Sequence, residues 1–203
     1  MRRQIPLSWL IHGYAWGGLL LLLLQALSGN LGANPIQSLE LRTGRGAMIF
    51  LLLSLACTPL HRWFGWQEAL RQRRRLGLYA LLYATLHALI FVHLDYGLAW
   101  STFVRTVLEK RYLLFGIAAF LLLVPLGATS FDIWKQRLGR NWKRLHRLVY
   151  LALLLVLIHV ALSQKGDVLS LQGQILRPLI YAVLGVILLT ARLRLRFGKR
   201  NHS

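Results

Sequence analysis

Six stretches of this chain are apolar over about the length of a membrane-spanning helix. Of its 203 residues, 56% are hydrophobic, and about 20 consecutive apolar residues are enough to cross the hydrocarbon core of a bilayer. A helix satisfies all of its backbone hydrogen bonds within one segment, as lipid requires. We therefore predict an all-α, polytopic membrane protein, a bundle of six transmembrane helices at 8–27, 45–60, 76–94, 112–129, 145–163 and 175–192.

The basic residues alternate between the two sides of this predicted bundle. Eighteen of the 25 Lys and Arg residues fall within 2–3, 62–75, 135–147 and 192–200. The positive-inside rule places both termini in the cytoplasm. The net charge of +19 would suggest nucleic acid in a soluble protein, but no soluble domain presents it here. We expect contact with anionic membrane lipid and no nucleic-acid binding.

Nothing in the sequence marks a second domain, so residues 1–203 are predicted to form a single transmembrane domain. The segment 28–44 has Gly, Asn and Pro turn signals and is predicted to be an outward loop. The basic loops 61–75 and 130–144 have the composition of short interfacial helices. We find no convincing internal repeat, which disfavours many transporter architectures.

Acidic and cysteine residues exclude some other functions. No Asp or Glu lies centrally in a predicted span, whereas proton-coupled carriers typically place carboxylates along their path. The single cysteine, Cys57, allows no intramolecular disulfide and no CxxC site.

Two histidines lie deep within apolar runs, His87 in the third predicted helix and His159 in the fifth. An ionisable side chain inside a membrane is by default a candidate functional residue. Both helices run in the same direction, and the 1.5 Å rise per residue puts the rings about 17 and 21 Å from the inner helix ends. Imidazole is a common axial ligand of haem iron. We predict that His87 and His159 ligate a haem, the alternative being a hydrogen bond to a neighbouring helix.

His146 lies 13 residues before His159 at the start of the same helix. That interval rises about 20 Å, which suits a second haem near the inner surface. The angular fit is poorer, because 13 steps of 100° end about 140° short of a whole number of turns. A tilt or local unwinding would be needed, and the alternative is a snorkelling interfacial residue. The remaining histidines, near interfaces or in the tail, are not expected to be ligands.

A ligand for an inner haem on the third helix would fall at Arg73 or Arg74. Guanidinium stays protonated and is a poor iron ligand, but it pairs well with carboxylates and phosphates. Arg73 and Arg74 are therefore candidates to hold haem propionates or a flavin phosphate. The alternative is that this basic run only sets the topology.

Several segments together resemble a known family. They are TPLHRWFG (58–65), RRRLGLYALLYATLH (73–87), KRYLLFG (110–116), LGATS (126–130) and RLGRNWKRLHRLVYLALLLVLIH (137–159). The chain resembles the MsrQ (YedZ) family, the haem-binding membrane subunit of the protein-methionine-sulfoxide reductase system. That family belongs to the ferric-reductase-like transmembrane group, and the corresponding core here would be about 45–163.

This resemblance implies a function as an electron-transfer subunit in the bacterial inner membrane. His87, His146 and His159 match the family's haem-linked histidines, which implies one or two b-type haems, and FMN is also attributed to the family. Electrons would come from the quinone pool or a cytosolic flavin reductase. They would go to a periplasmic molybdopterin-containing methionine sulfoxide reductase, which would perform the catalysis. Unlike larger ferric reductases, the chain lacks the inner histidine of the third helix and a C-terminal FAD/NADPH domain, so the haem count stays open.

Two other functions remain as alternatives at this point. One is a free-standing transmembrane b-type cytochrome or ferric reductase without a dedicated partner. The other is a membrane carrier or scaffold that binds no cofactor.

Overall fold

A computed structural model of the protein describes residues 6–163 and 176–197. This part of the chain is helical and contains no strand, which confirms the all-α prediction there. Its α-helices are α1 (Leu7–Leu27), α2 (Pro35–Phe64), α3 (Gln67–Ile90), α4 (Trp100–Glu109), α5 (Arg111–Ala128), α6 (Asp132–Leu138), α7 (Arg140–Leu145), α8 (Val149–Ser163) and α9 (Leu176–Phe197).

Five helical segments are long and apolar enough to cross a membrane. They are Leu7–Leu27, Pro35–Phe64, Gln67–Asp95, Arg111–Ala128 and Arg140–Ser163. The sixth predicted span, 175–192, falls on α9, whose apolar part Pro178–Arg192 is shorter. A multi-pass membrane protein is therefore supported, while the sixth span and the cytoplasmic placement of the termini stay predictions.

Helix α2 begins well before its predicted span, so the prediction of a loop throughout 28–44 was wrong. The side chain of Asn34 accepts a hydrogen bond from the backbone N–H of Gln37 at 3.1 Å, and Pro35 occupies the first turn. An Asn cap followed by Pro at the first helical position is a strong start signal. At the other end Gly65 takes a left-handed conformation (φ 66°) that terminates the helix.

The two basic loops differ from each other. Within 130–144 the predicted short helices are present as α6 and α7. Within 61–75 no separate interfacial helix forms, because α3 already begins at Gln67 and carries the run of arginines. The arginines therefore have fixed positions on a continuous helix that leads to His87.

Two compact units make up the chain, Met1–Leu98 and Ala99–Ser203. In the first unit, α1, α2 and α3 pack around aromatic rings. Phe50 lies with its ring centroid 5.3 Å from that of Tyr79 and 5.2 Å from that of Tyr83. The Tyr83 hydroxyl donates a hydrogen bond to the carbonyl of Ala15 at 2.6 Å, which ties α3 to α1. These tyrosines are part of the buried packing of the unit.

Gly46 allows this aromatic packing, since a Cβ there would collide with the Tyr83 ring. Gly46→Ala is expected to lower the free energy of unfolding by about 1–3 kcal/mol, the usual cost of overpacking a core. Gly13→Ala is the matched control, because nothing lies within 4 Å of a Cβ at that helical position. The free energy of unfolding of both variants is measured in mixed micelles. Equal stability of the two would show that the ring of Tyr83 is not held against α2.

In the second unit, α5 and α8 pack against each other. Ala152 and Leu153 of α8 have no exposed surface, and Ala119 and Leu123 of α5 are also buried. Helix α7 continues through a 3-10 turn, His146–Leu148, into α8. The long segment Arg140–Ser163 thus carries both predicted ligands of this unit.

Candidate functional site

His159 is held by the backbone of α5. Its Nδ1 lies 2.8 Å from the carbonyl oxygen of Tyr112. A carbonyl oxygen only accepts hydrogen bonds, so Nδ1 carries the proton and donates it. A neutral imidazole protonated at Nδ1 has its lone pair on Nε2, the nitrogen suited to bind a metal. The half-buried ring is therefore held in a ligand-competent tautomer.

His87 is held in the same way by α2. Its Nδ1 lies 3.0 Å from the carbonyl oxygen of Glu40, and the ring is half-buried. Nδ1 of His87 therefore carries the proton, and the lone pair is on Nε2. Both predicted ligands thus make the backbone hydrogen bond that metal-bound histidines usually make with their second nitrogen.

A glycine lies beside each histidine, one helical turn after the residue that supplies the carbonyl. A Cβ at Gly116 would come within 2.7 Å of Nδ1 of His159, and a Cβ at Gly44 within 3.3 Å of Nδ1 of His87. In each unit the imidazole reaches the helix carbonyl across a position that has no side chain. We refer to each carbonyl, glycine and histidine together as an imidazole cradle.

The two cradles are related by one shift along the sequence. Carbonyl residue and histidine are 47 positions apart in both. The shift that brings His87 onto His159 also aligns several identical pairs: Leu41 with Leu113, Gly44 with Gly116, Ala47 with Ala119, Arg75 with Arg147, Leu76 with Leu148, Ala80 with Ala152, Leu81 with Leu153 and Leu82 with Leu154. The units therefore contain a repeated helix pair, α2–α3 and α5–α8, which the sequence analysis missed. Aligning the chain with itself on the two histidines would have revealed it.

His146 lies in a different environment, beside the C-terminal end of α5. Its Nε2 is 3.1 Å from Oγ1 of Thr129, and its ring stacks on Trp142 at 4.1 Å between centroids. The Trp142 indole N–H donates to the carbonyl of Thr129 at 2.8 Å. Two residues thus fix the ring plane and one nitrogen of His146.

The backbone at His146 partly reduces the angular mismatch between His146 and His159 that the sequence predicts for a regular helix. His146–Leu148 is a 3-10 turn, so the segment is locally tightened and not unwound as the sequence analysis suggested. Three residues at about 120° per step recover about 60° of the roughly 140° mismatch. His146 and His159 consequently lie closer to one helix face than a regular helix would place them.

Arg73 and Arg74 have different surroundings. The side chain of Arg74, with those of Arg71 and Arg75, lines a cavity of about 530 Å³. Arg73 does not line this cavity, and its carbonyl accepts a hydrogen bond from Ser54 Oγ at 2.9 Å. The sequence shift that relates the cradles brings Arg74 onto His146.

A buried glutamine organises one wall of the same cavity. Gln72 is 2% exposed, its Nε2 donates to Glu68 at 2.7 Å, and its Oε1 accepts from Arg75 at 2.8 Å. The wall is therefore prearranged, and its cationic groups outnumber Glu68. Such a site favours an anionic group such as a carboxylate or a phosphate.

These residues fit a haem better than a metal centre built from protein ligands alone. Within 6–163 and 176–197, no three His, Cys, Asp or Glu side chains converge as a protein-only centre would require. A haem iron needs only axial ligands from the protein. The imidazoles of His87 and His159, which are held at Nδ1, meet that need.

Comparison with known proteins defines the class. Residues 43–157 match the family model described as the ferric reductase like transmembrane component. Because this match covers more than half of the chain, the protein is a ferric-reductase-like transmembrane protein. No solved structure matches the chain.

Curated relatives define the particular family. Three of them share the name "Protein-methionine-sulfoxide reductase heme-binding subunit MsrQ". The protein from Deinococcus radiodurans is 43% identical over 201 residues, 96% of each chain. That from Rhodospirillum rubrum is 41% identical over 82% of this chain and 77% of its own. That from Xanthomonas oryzae pv. oryzae is 41% identical over 81% of this chain and 72% of its own. The chain belongs to the MsrQ family, which confirms the resemblance seen in the sequence.

Proposed function

We propose that this protein is a haem b electron-transfer subunit of a methionine sulfoxide reductase system in the bacterial inner membrane. Residues 1–203 act as a single transmembrane haem-binding domain. Electrons come from the quinone pool or a cytosolic flavin reductase and go to a periplasmic molybdopterin-containing reductase. Relatives named as heme-binding subunits support this proposal. The repeated imidazole cradle around His87 and His159 is the observation that carries it.

The chemistry follows from the two imidazoles. His87 and His159 would each supply an imidazole ligand to haem iron, and each has its Nδ1 hydrogen-bonded to a backbone carbonyl. A haem with two imidazole ligands has no open iron position and supplies one-electron oxidation and reduction. Reduction of the sulfoxide therefore belongs to the partner subunit, and no catalytic residue is assigned here.

The inner side of the domain holds the anionic parts of a cofactor. His146 would supply a ligand to a second, inner haem, either through Nδ1 or after its Nε2 leaves Oγ1 of Thr129. Arg74 would pair with the propionates of that haem or with the phosphate of FMN. The cationic cavity beside Gln72 supports this role for Arg74. Arg73, which does not line the cavity, contributes positive charge close by.

Arg74→Gln is expected to weaken retention of the inner cofactor by about tenfold, as for the loss of an outer-shell partner. The measurement is haem and flavin content per chain after extended washing in detergent. Arg62→Gln is the matched control, since Arg62 is an exposed arginine outside the cavity. Equal retention of the cofactor in both variants would show that Arg74 does not hold it.

Reconstitution tests the whole proposal. The protein is placed in lipid nanodiscs, its haem is reduced with a quinol, and the purified molybdopterin reductase partner is added with methionine sulfoxide. We expect haem reoxidation only when partner and sulfoxide are both present. Reoxidation by ferric ion with no response to the partner would instead indicate a free-standing cytochrome. Absence of a Soret band would indicate a scaffold.

A further inference from the structure

We propose that Gly44 and Gly116 are positioning residues that set the tautomer and the donor strength of the two haem ligands. This inference rests on the proposed function, since it concerns how His87 and His159 act toward a haem. The two glycines have no reactive side chain. Their contribution is the absence of a side chain at one position of α2 and one of α5.

Helix geometry explains why glycine is needed. In an α-helix the carbonyl of residue i points toward the N–H of residue i+4. A second donor can reach that oxygen only from the side, past the Cβ of the following turn. Gly116 stands one turn after Tyr112, and Gly44 stands one turn after Glu40. Without a Cβ, each carbonyl can accept the imidazole N–H in addition to its helical hydrogen bond.

The distances predict unequal effects in the two units. A methyl group at Gly116 would lie 2.7 Å from Nδ1 and 2.9 Å from Cε1 of His159, so the ring must move. At Gly44 the corresponding distances to His87 are 3.3 and 3.4 Å, which a shift of a few tenths of an ångström relieves. The same substitution therefore disturbs His159 more than His87.

The hydrogen bond also affects the iron. Donation from Nδ1 to a carbonyl makes the imidazole a stronger electron donor, and outer-shell partners of this kind tune metal sites. A stronger donor favours ferric iron and lowers the midpoint potential. Loss of the Nδ1 hydrogen bond should therefore raise the midpoint potential of the haem.

The test compares Gly116→Ala, Gly44→Ala and Gly17→Ala in the full-length holoprotein. Gly17 is the control, because a Cβ there would meet nothing within 4 Å. We expect the midpoint potential to rise most in Gly116→Ala, less in Gly44→Ala and not at all in Gly17→Ala. Haem affinity should fall in the same order, by about 10–100-fold for Gly116→Ala. Unchanged potentials and affinities in the first two variants would overturn the proposal.

A second measurement covers the case in which the alanine variants lose haem entirely. Nitrogen NMR of the full-length wild-type chain, labelled in the histidine rings and purified without haem, reports the tautomers directly. We expect the Nδ1–H tautomer for both His87 and His159. The signals of each ring are assigned by their loss in His87→Ala or His159→Ala. The Nε2–H tautomer at both would overturn the cradle even if the holoprotein binds haem. A wild-type protein that never binds haem would instead refute the proposed function and leave the tautomer result to decide the cradle.

Discussion

Replacing His87 or His159 with alanine is expected to remove the outer haem and abolish electron delivery to the partner. In the proposed site, each ring would supply an iron ligand that no other described side chain in its cradle can replace. The alanine also leaves the carbonyl of Glu40 or Tyr112 without its imidazole donor. Loss of a direct ligand should exceed the about 10–100-fold effect of an outer-shell partner. Haem content per chain and the rate of haem reoxidation measure the outcome.

His93→Ala is the matched control for this pair of variants. His93 belongs to the same continuous segment as His87, but it is exposed in a π-helical turn, Phe91–Asp95. Its replacement should leave haem content and kinetics at wild-type values. Full haem content with normal kinetics in both His87→Ala and His159→Ala would refute the ligand assignment.

His146→Ala should produce a different defect. The outer haem should remain, with its ligands and cradles unchanged. The inner haem should be lost and reduction from the donor side should slow, because a cofactor between donor and outer haem is missing. The change is measured as a drop of one haem per chain and as slower reduction by quinol. Retention of the outer haem together with slower reduction distinguishes His146 from the outer ligands.

The control for His146 is another histidine on the predicted inner side. His61 lies near the end of α2 and receives no cofactor role here. His61→Ala should keep the haem count and the reduction rate of the wild type. If His146→Ala behaves like His61→Ala, the interfacial interpretation of His146 is correct and no haem depends on this residue.

Much of the fold could be predicted because lipid imposes a simple rule on the sequence. Long apolar stretches predicted the membrane segments, and the motifs around His87 and His159 predicted the class of protein. The beginning of α2 was missed because turn signals at 28–34 were extended over polar residues that are helical. The Asn34–Pro35 start signal was present in the sequence, and weighing it above polarity would have placed the helix correctly.

The cradles could not be predicted in the same way. The acceptors are the backbone carbonyls of Glu40 and Tyr112. Because every residue has a backbone carbonyl, the sequence cannot show which one acts as an acceptor. Gly44 falls at the end of the predicted loop 28–44, and Gly116 reads as an ordinary small residue of an apolar helix, until the packing shows what a Cβ would meet. Only the repeated spacing of glycine and histidine offered a sequence signal.

A dithionite-reduced minus oxidised absorbance spectrum of the purified full-length protein, with haem quantified per chain, tests the central claim most directly. The account predicts a low-spin b-type spectrum with at least one haem per chain, which His87→Ala and His159→Ala lose in part or in full. A folded, monodisperse wild-type protein purified from haem-replete cells with no Soret or α-band absorbance would contradict it.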